Sequence, residues 1–394
     1  SSMSIESVNI SNTILKSSGT SQLTQGLIAI SYATSVSLPE TNLTNCYFYR
    51  SNGVTISISN AENVTVANTF ITGLTLTLNT LYIPQYFHAF YIGNAKFITV
   101  VDFHVDSLNS TALPELDGYG LTVLEFNLEN NVDACSISLQ RFSLTNSQIN
   151  GKCLFIEYAD STPATLPYAV IEDVTIQSNN IYFGAFFRMV PYLSTQYTYG
   201  NLTQVYSVQN FHILNNTIVD LTIVEMINRV LQGLYNEVLL LNIDNLIMED
   251  NSFGSINKFN PFDISGSQVS ISNLQANNNT LGNSTMFSDS LRVSTFTLMN
   301  SSITNLSLGT GGTLFGYRQQ QSISLTLIPT FFDKTIKTYQ VENKPFMIVN
   351  CVFANISLAP QSALILSNNP MSILINNTFM NITSTQAAMI SFGE

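Results

Sequence analysis

One short pattern recurs along the whole sequence, and its two clearest copies lie between residues 345 and 383. The first copy reads FMIVNCVFAN (346–355) and the second reads SILINNTFMN (372–381). Each copy has an alternating apolar segment, then an Asn, an inward Phe and a second Asn. Alternation with a period of two predicts a β-strand, and its recurrence along the chain predicts a repeat fold.

Further copies of the pattern occupy residues 7–15, 63–71, 142–149, 173–181, 208–218, 243–253, 271–281 and 296–303. The copies begin roughly 22 to 36 residues apart, which is typical of one supersecondary unit with variable loops. Asn at a tight turn tolerates left-handed backbone angles, and stacked Asn side chains can bond from one repeat to the next. The pattern predicts an all-β, single-stranded parallel β-helix of about a dozen rungs, with residues 1–394 as one continuous domain.

The recurring form resembles the right-handed parallel β-helix of the pectin-lyase-like superfamily. The segments FAN (353–355) and FMN (379–381), with their flanking strands, are similar to Phe-x-x-Asn repeats. Such repeats occur in polymorphic outer-membrane autotransporters and in large surface proteins of unicellular eukaryotes. The resemblance implies an architecture that hosts lyases, hydrolases, adhesins and structural fibres.

The composition excludes several classes of partner. The chain has 394 residues, of which 45% are hydrophobic and only 10% are charged, and its net charge is −12. Nucleic acids and anionic membranes need clustered Lys and Arg, so neither is an expected partner. No apolar run approaches the roughly 20 residues of a membrane-spanning helix. The strand pattern begins near Ile5 and still runs at Met389, so both ends are expected to be cut ends, of a processed or a longer chain.

Three stretches interrupt the pattern, at 77–97, 182–206 and 310–345. We predict that each is a long loop insertion, or a loop with a small strand pair, that leaves the repeat. Loops of this length without structure are uncommon unless they bind something. The second stretch is rich in tyrosine, which could stack on sugar rings, form a protein interface or cover the side of the fold. These tyrosines are Tyr182, Tyr192, Tyr197, Tyr199 and Tyr206.

Thirteen Asn-x-Ser/Thr triplets are candidate sites of N-linked glycosylation, in which the hydroxyl assists transfer of an oligosaccharide to the Asn amide. A chain this rich in Asn, Ser and Thr would contain about nine such triplets by chance, so their positions matter more than their number. N-linked glycans are the only added group that the sequence predicts, and no cofactor or metal is expected. The acceptors are Asn9, Asn42, Asn63, Asn109, Asn201, Asn215, Asn278, Asn283, Asn300, Asn305, Asn355, Asn376 and Asn381.

Four cysteines are too few for the fold to depend on disulfides. Cys46 and Cys351 lie many rungs apart, beyond the ~6 Å Cα separation that a disulfide needs. Cys135 and Cys153 are about one rung apart and could pair, or all of these could be buried free thiols. No CxxC spacing suggests zinc.

One constellation, Asp102, His104 and Asp106, has residue types that could perform chemistry. Alternation would place the three on one strand face, where they could bind a metal or share a proton, or could simply form a solvated surface. The sequence has no Asp-Asp pair, no Gly-His-Gly and no Arg-x-Lys, the groups expected of polysaccharide-cleaving relatives. We therefore do not expect an enzyme.

The leading hypothesis is an extracellular or cell-surface glycoprotein that builds a fibre or coat. Its partners would be copies of itself, or neighbouring β-helix segments, bound end to end, because uncapped solenoid ends attract further strands. Two alternatives share the fold. One is a carbohydrate-active or carbohydrate-binding β-helix with carboxylates from several rungs in a groove, and the other is an adhesin that binds its partner through the aromatic loops.

Overall fold

The structure is a computed structural model, in which every described element is a β-strand. It describes residues 2–16, 26–49, 53–77, 86–111, 120–127, 136–159, 168–192, 203–226, 238–254, 260–263, 267–289, 295–317, 346–367, 372–384 and 388–392. These ranges contain 37 strands and no helix. All pairings between them are parallel, so the expected all-β class and a large parallel sheet are confirmed.

The strands are numbered in chain order: β1 (Ser2–Ser4), β2 (Val8–Ser11), β3 (Ile14–Lys16), β4 (Gly26–Ser31), β5 (Ser35–Leu38), β6 (Thr41–Thr44), β7 (Tyr47–Tyr49), β8 (Gly53–Ser59), β9 (Asn63–Thr72), β10 (Thr75–Thr77), β11 (Tyr86–Gly93), β12 (Phe97–Asp106), β13 (Asn109–Thr111), β14 (Gly120–Asn127), β15 (Ser136–Thr145), β16 (Gln148–Ala159), β17 (Tyr168–Gln177), β18 (Asn180–Tyr192) and β19 (Thr203–Leu214). They continue with β20 (Thr217–Met226), β21 (Val238–Glu249), β22 (Ser252–Gly254), β23 (Phe262–Asp263), β24 (Ser267–Ser272), β25 (Gln275–Asn277), β26 (Thr280–Leu281), β27 (Thr285–Asp289), β28 (Thr295–Met299), β29 (Ser302–Thr304), β30 (Ser307–Leu308), β31 (Thr313–Tyr317), β32 (Phe346–Val349), β33 (Val352–Leu358), β34 (Ala363–Ser367), β35 (Ser372–Ile375), β36 (Thr378–Ser384) and β37 (Ala388–Phe392).

Each strand pairs with the equivalent strands of the preceding and following repeats. The line of strands that opens each repeat has twelve members, paired in the order β1, β5, β9, β12, β15, β17, β19, β21, β24, β28, β32 and β35. The sequence copies therefore correspond to layers that lie about 4.8 Å apart, the spacing of hydrogen-bonded strands.

Two corners of the repeat are formed by residues with left-handed backbone angles, the first corner in ten of the twelve repeats and the second corner in all twelve. The first corner contains Asn68, Asp102, Arg141, Asp173, Asn210, Asn245, Asn273, Asn300, Asn350 and Asn376, all at φ between 46° and 58°. The second corner contains Asn12, Asn45, Gly73, Ser107, Asn146, Ser178, Asn215, Asp250, Asn278, Asn305, Asn355 and Asn381. Asn predominates because its short amide side chain tolerates this conformation and hydrogen-bonds locally, as the sequence predicts.

The residue that follows each corner points inward, and alternation then carries one apolar cluster along the described repeats from Val8 to Ile365. Aromatic rings stack between neighbouring repeats inside this core. The ring centroids of Phe103 and Phe142 are 5.8 Å apart, and those of Phe353 and Phe379 are 5.0 Å apart. Burial of this continuous stripe is the main stabilising term of the fold.

A ladder of buried amides runs inside the core just after the second corner. Asn179, Asn216, Asn251 and Asn279 occupy this position in four consecutive repeats, each about 2% exposed. The Nδ2 of each of the first three donates to the Oδ1 of the next at 3.0 Å, and that same Oδ1 accepts the backbone N–H of the donor residue. Every buried amide is thereby paired, which its burial requires. Bonding between stacked Asn side chains is confirmed.

The predicted loop insertions are wrong in part. Within 77–97, residues Tyr86–Gly93 form β11 and Phe97 opens β12, and within 182–206 strand β18 continues to Tyr192 and β19 begins at Thr203. Strand β31 also occupies Thr313–Tyr317 in the third stretch. The aromatic residues obscured the alternation in β11 and β31, because consecutive side chains of these two strands are buried. The remaining parts of the three stretches, 78–85, 193–202 and 318–345, lie outside the described residues.

The amide ladder gives a test of the fold. Substitution Asn216→Ala removes the acceptor of the Asn179 backbone N–H and side chain, and the donor to the Ile176 carbonyl. We expect the free energy of unfolding to fall by about 2–4 kcal/mol, because buried polar groups lose their partners. Chemical denaturation measures this loss, with the exposed neighbour Thr217→Ala as the control. Equal free energies of unfolding for the two variants would contradict a stabilising role of the amide ladder.

Candidate functional site

The predicted glycan acceptors lie mainly on the surface. Among the twelve that the structure describes, Asn42 is partly buried, and the rest are exposed: Asn9, Asn63, Asn109, Asn215, Asn278, Asn283, Asn300, Asn305, Asn355, Asn376 and Asn381. Asn201 lies outside the described residues. An acceptor amide must be reachable by the transferase, so the described acceptors meet the first geometric requirement for modification.

Seven of these acceptors stand at corners, and the corner explains why the triplet recurs. Asn300 and Asn376 belong to the first corner, whereas the second corner holds Asn215, Asn278, Asn305, Asn355 and Asn381. At the second corner Asn is the commonest residue, the next residue faces inward, and in these five triplets the third is an exposed Ser or Thr: Thr217, Thr280, Ser307, Ser357 and Thr383. The fold thus generates Asn-x-Ser/Thr triplets and exposes their amides at the same time.

The corner amides also bond to one another along the surface. Asn381 donates its Nδ2 to the Oδ1 of Asn355 at 3.0 Å, and Asn355 donates in turn to Asn305 at 3.1 Å. At the first corner, Asn245 donates to Asn210 at 2.8 Å, and Asn210 donates to Asp173 at 2.8 Å. These outer bonds hold the corners of successive repeats in line, although exposed hydrogen bonds contribute little to stability.

The Asp102, His104 and Asp106 trio does not converge on a common site. Asp102 occupies the first corner and accepts hydrogen bonds from Nε and Nη2 of Arg141, with Nη2 at 2.9 Å from Oδ2. His104 Nδ1 lies 2.7 Å from the Ser143 hydroxyl. No group of three or more His, Cys, Asp or Glu side chains among the described residues could hold a metal ion. Alternation holds along this part of β12, where Phe103 and Val105 are buried while Asp102, His104 and Asp106 are partly exposed, but Asp102 stands at the left-handed corner itself.

Local hydrogen bonds keep three aspartates ionised at the surface. The Arg141 guanidinium lowers the pKa of Asp102. Hydrogen bonds from Thr145, Asn146 and Ser107 lower the pKa of Asp106, and those from Ser272 and Asn273 lower the pKa of Asp244. Bonds of this kind favour the carboxylate, so these side chains brace the corners rather than exchange protons near neutral pH.

The structure brings together a pair that the sequence did not indicate, His88 of β11 and Glu125 of β14. Their side chains are each about 6% exposed, and Nδ1 of His88 lies 2.6 Å from Oε2 of Glu125. The approach is close but outside good hydrogen-bond geometry, and Nε2 has no hydrogen-bond partner among the described residues. Tyr91 meets the His88 ring edge-on at 5.8 Å.

Strand register aligns the position of Glu125 with further ionisable residues in the following repeats. Glu125 is the Cα partner of Phe155, which pairs with Arg188, and Arg188 pairs with Glu225, which pairs with Asp263. Four ionisable residues of a chain with 10% charged residues therefore share one line of positions on a single sheet. In the sequence these residues are visible as charges that interrupt apolar segments, but only the strand register shows that they align.

The cysteines form no reactive centre in the described part of the chain. Cys46 and Cys351 are buried free thiols, and burial raises the pKa of each, which suppresses the reactive thiolate. Cys135 lies outside the described residues, as does the side chain of Cys153, so the possible disulfide stays a prediction. Among the tyrosines, Tyr206 is a buried core residue, Tyr182 is partly buried, and Tyr197 and Tyr199 lie outside the described residues.

Comparison with known proteins finds no protein-family model that matches this sequence, and no curated protein matches it either. The resemblance to the pectin-lyase-like superfamily accordingly stays a prediction. Across the described residues, no helix is long and apolar enough to cross a membrane.

The buried pair predicts an unusual pattern of stability. Substitution Glu125→Ala should lower the free energy of unfolding by about 2–3 kcal/mol, because it leaves the His88 ring buried without its neighbouring carboxyl group. Replacing both residues with Leu should cost less than the sum of the two single replacements, since no polar group is then stranded. A double-mutant cycle by chemical denaturation measures the coupling, and strictly additive losses would show that the two groups do not interact.

The three surface aspartates predict sensitivity to acid. A carboxyl whose pKa is lowered by folding adds stability above its ordinary pKa of about 4, and this stability is lost as the pH falls through the folded-state value. A variant with Asp102, Asp106 and Asp244 all replaced by Asn should therefore lose less thermal stability than the parent between pH 5 and pH 2. Thermal melts measured across this pH range test the prediction. Melting temperatures that fall equally with pH in the two proteins would contradict it.

Proposed function

We propose that the twelve repeats form a single parallel β-helix of the pectin-lyase-like kind, and that this rod is a structural element of an extracellular fibre or coat. The parallel register between successive repeats and the continuous apolar core support the proposed fold. A structural role is supported by Asp102, His104 and Asp106, each of which bonds to a side chain of the next repeat at the surface.

The main observation behind this proposal is the exposed surface of the first and last repeats. Large apolar side chains are exposed there, Met3, Ile14 and Leu27 in the first repeat and Ile375, Met380 and Met389 in the last. Each surface also presents strand edges, which bind further strands readily. We propose that each binds another β-helical layer, supplied by a second copy or by a neighbouring segment, so that the rod continues end to end.

Glycans would complete the surface of this rod. With 10% charged residues, the protein relies on Ser, Thr and Asn for its solubility, and the described acceptors are exposed in repeats from the first to the last. N-linked sugars on these acceptors would add hydration and prevent sideways association of bare sheets. Modification of this kind requires the secretory pathway, which agrees with a secreted or cell-surface location.

Electron microscopy of the secreted protein tests the structural role. We expect filaments or short stacks whose length increases with concentration, and we expect Ile375→Lys with Met380→Lys to abolish them, because charges on an apolar end surface oppose docking. Thr175→Lys, on an outward position of β17, the sixth of the twelve opening strands, is the matched control and should leave assembly intact. Dispersed monomers of the parent protein at high concentration would overturn end-to-end assembly.

A second candidate function, a carbohydrate-active β-helix, is favoured by one observation: Glu125, which lies beside His88, shares a line of strand positions with Arg188, Glu225 and Asp263. Carboxylates with basic partners are the groups that acid–base cleavage of polysaccharides requires. Activity on acidic polysaccharides that is lost in Glu125→Gln, while thermal stability is kept, would establish this function. Absence of activity across such a panel would exclude it for those substrates.

A further inference from the structure

Two exposed phenylalanines stand out on the strands of the middle repeats. Between the first and last repeats, the described residues include only three large apolar side chains with high exposure: Tyr32 at a corner, and Phe70 and Phe97 on strands. Phe70 is 45% exposed and Phe97 is 46% exposed, on a surface otherwise rich in Ser, Thr and Asn. Neither ring completes the core, so the exposed faces need another explanation.

Strand register places a glycan acceptor beside each of these rings. Phe70 of β9 is the Cα partner of Asn42 of β6, and Phe97 of β12 is the Cα partner of Asn63 of β9. Both Asn residues begin acceptor triplets, Asn42-Leu43-Thr44 and Asn63-Val64-Thr65. Parallel partners point to the same face about 4.8 Å apart, so acceptor and ring are outward neighbours in adjacent repeats.

The geometry around Phe70 suits a ring-shaped ligand. Its opposite neighbour in the column is His104, whose ring stacks on Phe70 with centroids 5.1 Å apart and an angle of 25° between the planes. His104 is held in turn by the Ser143 hydroxyl at 2.7 Å. The Phe70 ring is therefore supported from the following repeat, and Asn42 lies in the preceding repeat.

We propose that the first sugar of an N-linked glycan on Asn42 packs against Phe70, and that the first sugar on Asn63 packs against Phe97. This inference rests on the proposed glycosylation and adds which acceptors hold their glycan against the protein. One face of a pyranose presents C–H groups, whose partial positive charge is attracted to the negative face of an aromatic ring. The sugar would cover apolar surface that no described side chain covers.

The Asn42 amide is positioned for such a link. Its Nδ2 donates to Asn9 Oδ1 at 2.9 Å and to Glu40 Oε1 at 3.0 Å. Attachment of a sugar replaces one of the two N–H groups and leaves the other to donate. One retained bond keeps the amide against the strand surface, which restricts the directions in which the sugar can extend.

Native-state deglycosylation tests the two contacts separately. The protein is secreted from a eukaryotic host, treated while folded with peptide N-glycosidase, and the release of sugar at Asn42 and Asn63 is followed by peptide mass spectrometry. A sugar packed on a ring is less available to the enzyme, so Phe70→Ala, which creates no new acceptor triplet at Asn68, should speed release at Asn42 by about threefold or more and leave Asn63 unchanged. Phe97→Ser should have the reciprocal effect.

The reciprocal design supplies its own controls. Each Phe variant is the control for the other site, and Phe70→Tyr, which keeps the ring, should release sugar from Asn42 at the parental rate. If both acceptors carry glycans and release is unaffected by Phe70→Ala and by Phe97→Ser, the packing proposal is overturned while glycosylation stands. If neither peptide carries a glycan in the secreted protein, both the packing and the glycosylation of this region are overturned.

Discussion

Everything in this molecule depends on parallel pairing between equivalent strands of successive repeats. Each residue pairs with the residue at the equivalent position of the next repeat. The backbone conformation at one corner therefore has to match the corners of the neighbouring repeats. A left-handed residue at φ near 50° allows the turn, and the next side chain must then point inward. The buried amide ladder is one result of this rule, since an Asn that follows the corner finds partners only in the neighbouring repeats.

The strand pattern and the role of Asn could be predicted from sequence because both are local. The copy at 271–281 shows the alternation and the Asn positions directly, and the structure gives strands with left-handed Asn273 and Asn278 there. The aromatic segment at 77–97 was misread, because β11 is buried on both faces and loses its alternation. A fully buried strand cannot be told from other apolar segments by period alone.

The candidate sites also divide into those that follow from local sequence and those that depend on pairing between distant residues. Exposure of the corner acceptors follows from the local turn, whereas the His88–Glu125 pair depends on residues 37 positions apart that only the register brings together. For the Asp102 trio, alternation gave the outward positions correctly, but it could not show that each side chain bonds to a different partner in the next repeat. Pairing between distant residues is a tertiary property, and periodicity contains no information about it.

The uniform register has a consequence for how such a chain can change over generations. Since every layer offers its neighbours the same pairing frame, a gene segment that encodes one whole layer can be duplicated or lost while the flanking layers still match, as Thr217 matches Ser252 and Ser252 matches Thr280. A deletion of one or two residues at a corner instead shifts the following buried side chains out of step. Variation in length is therefore expected to accumulate in whole layers and in the connections between them, with the corners kept intact.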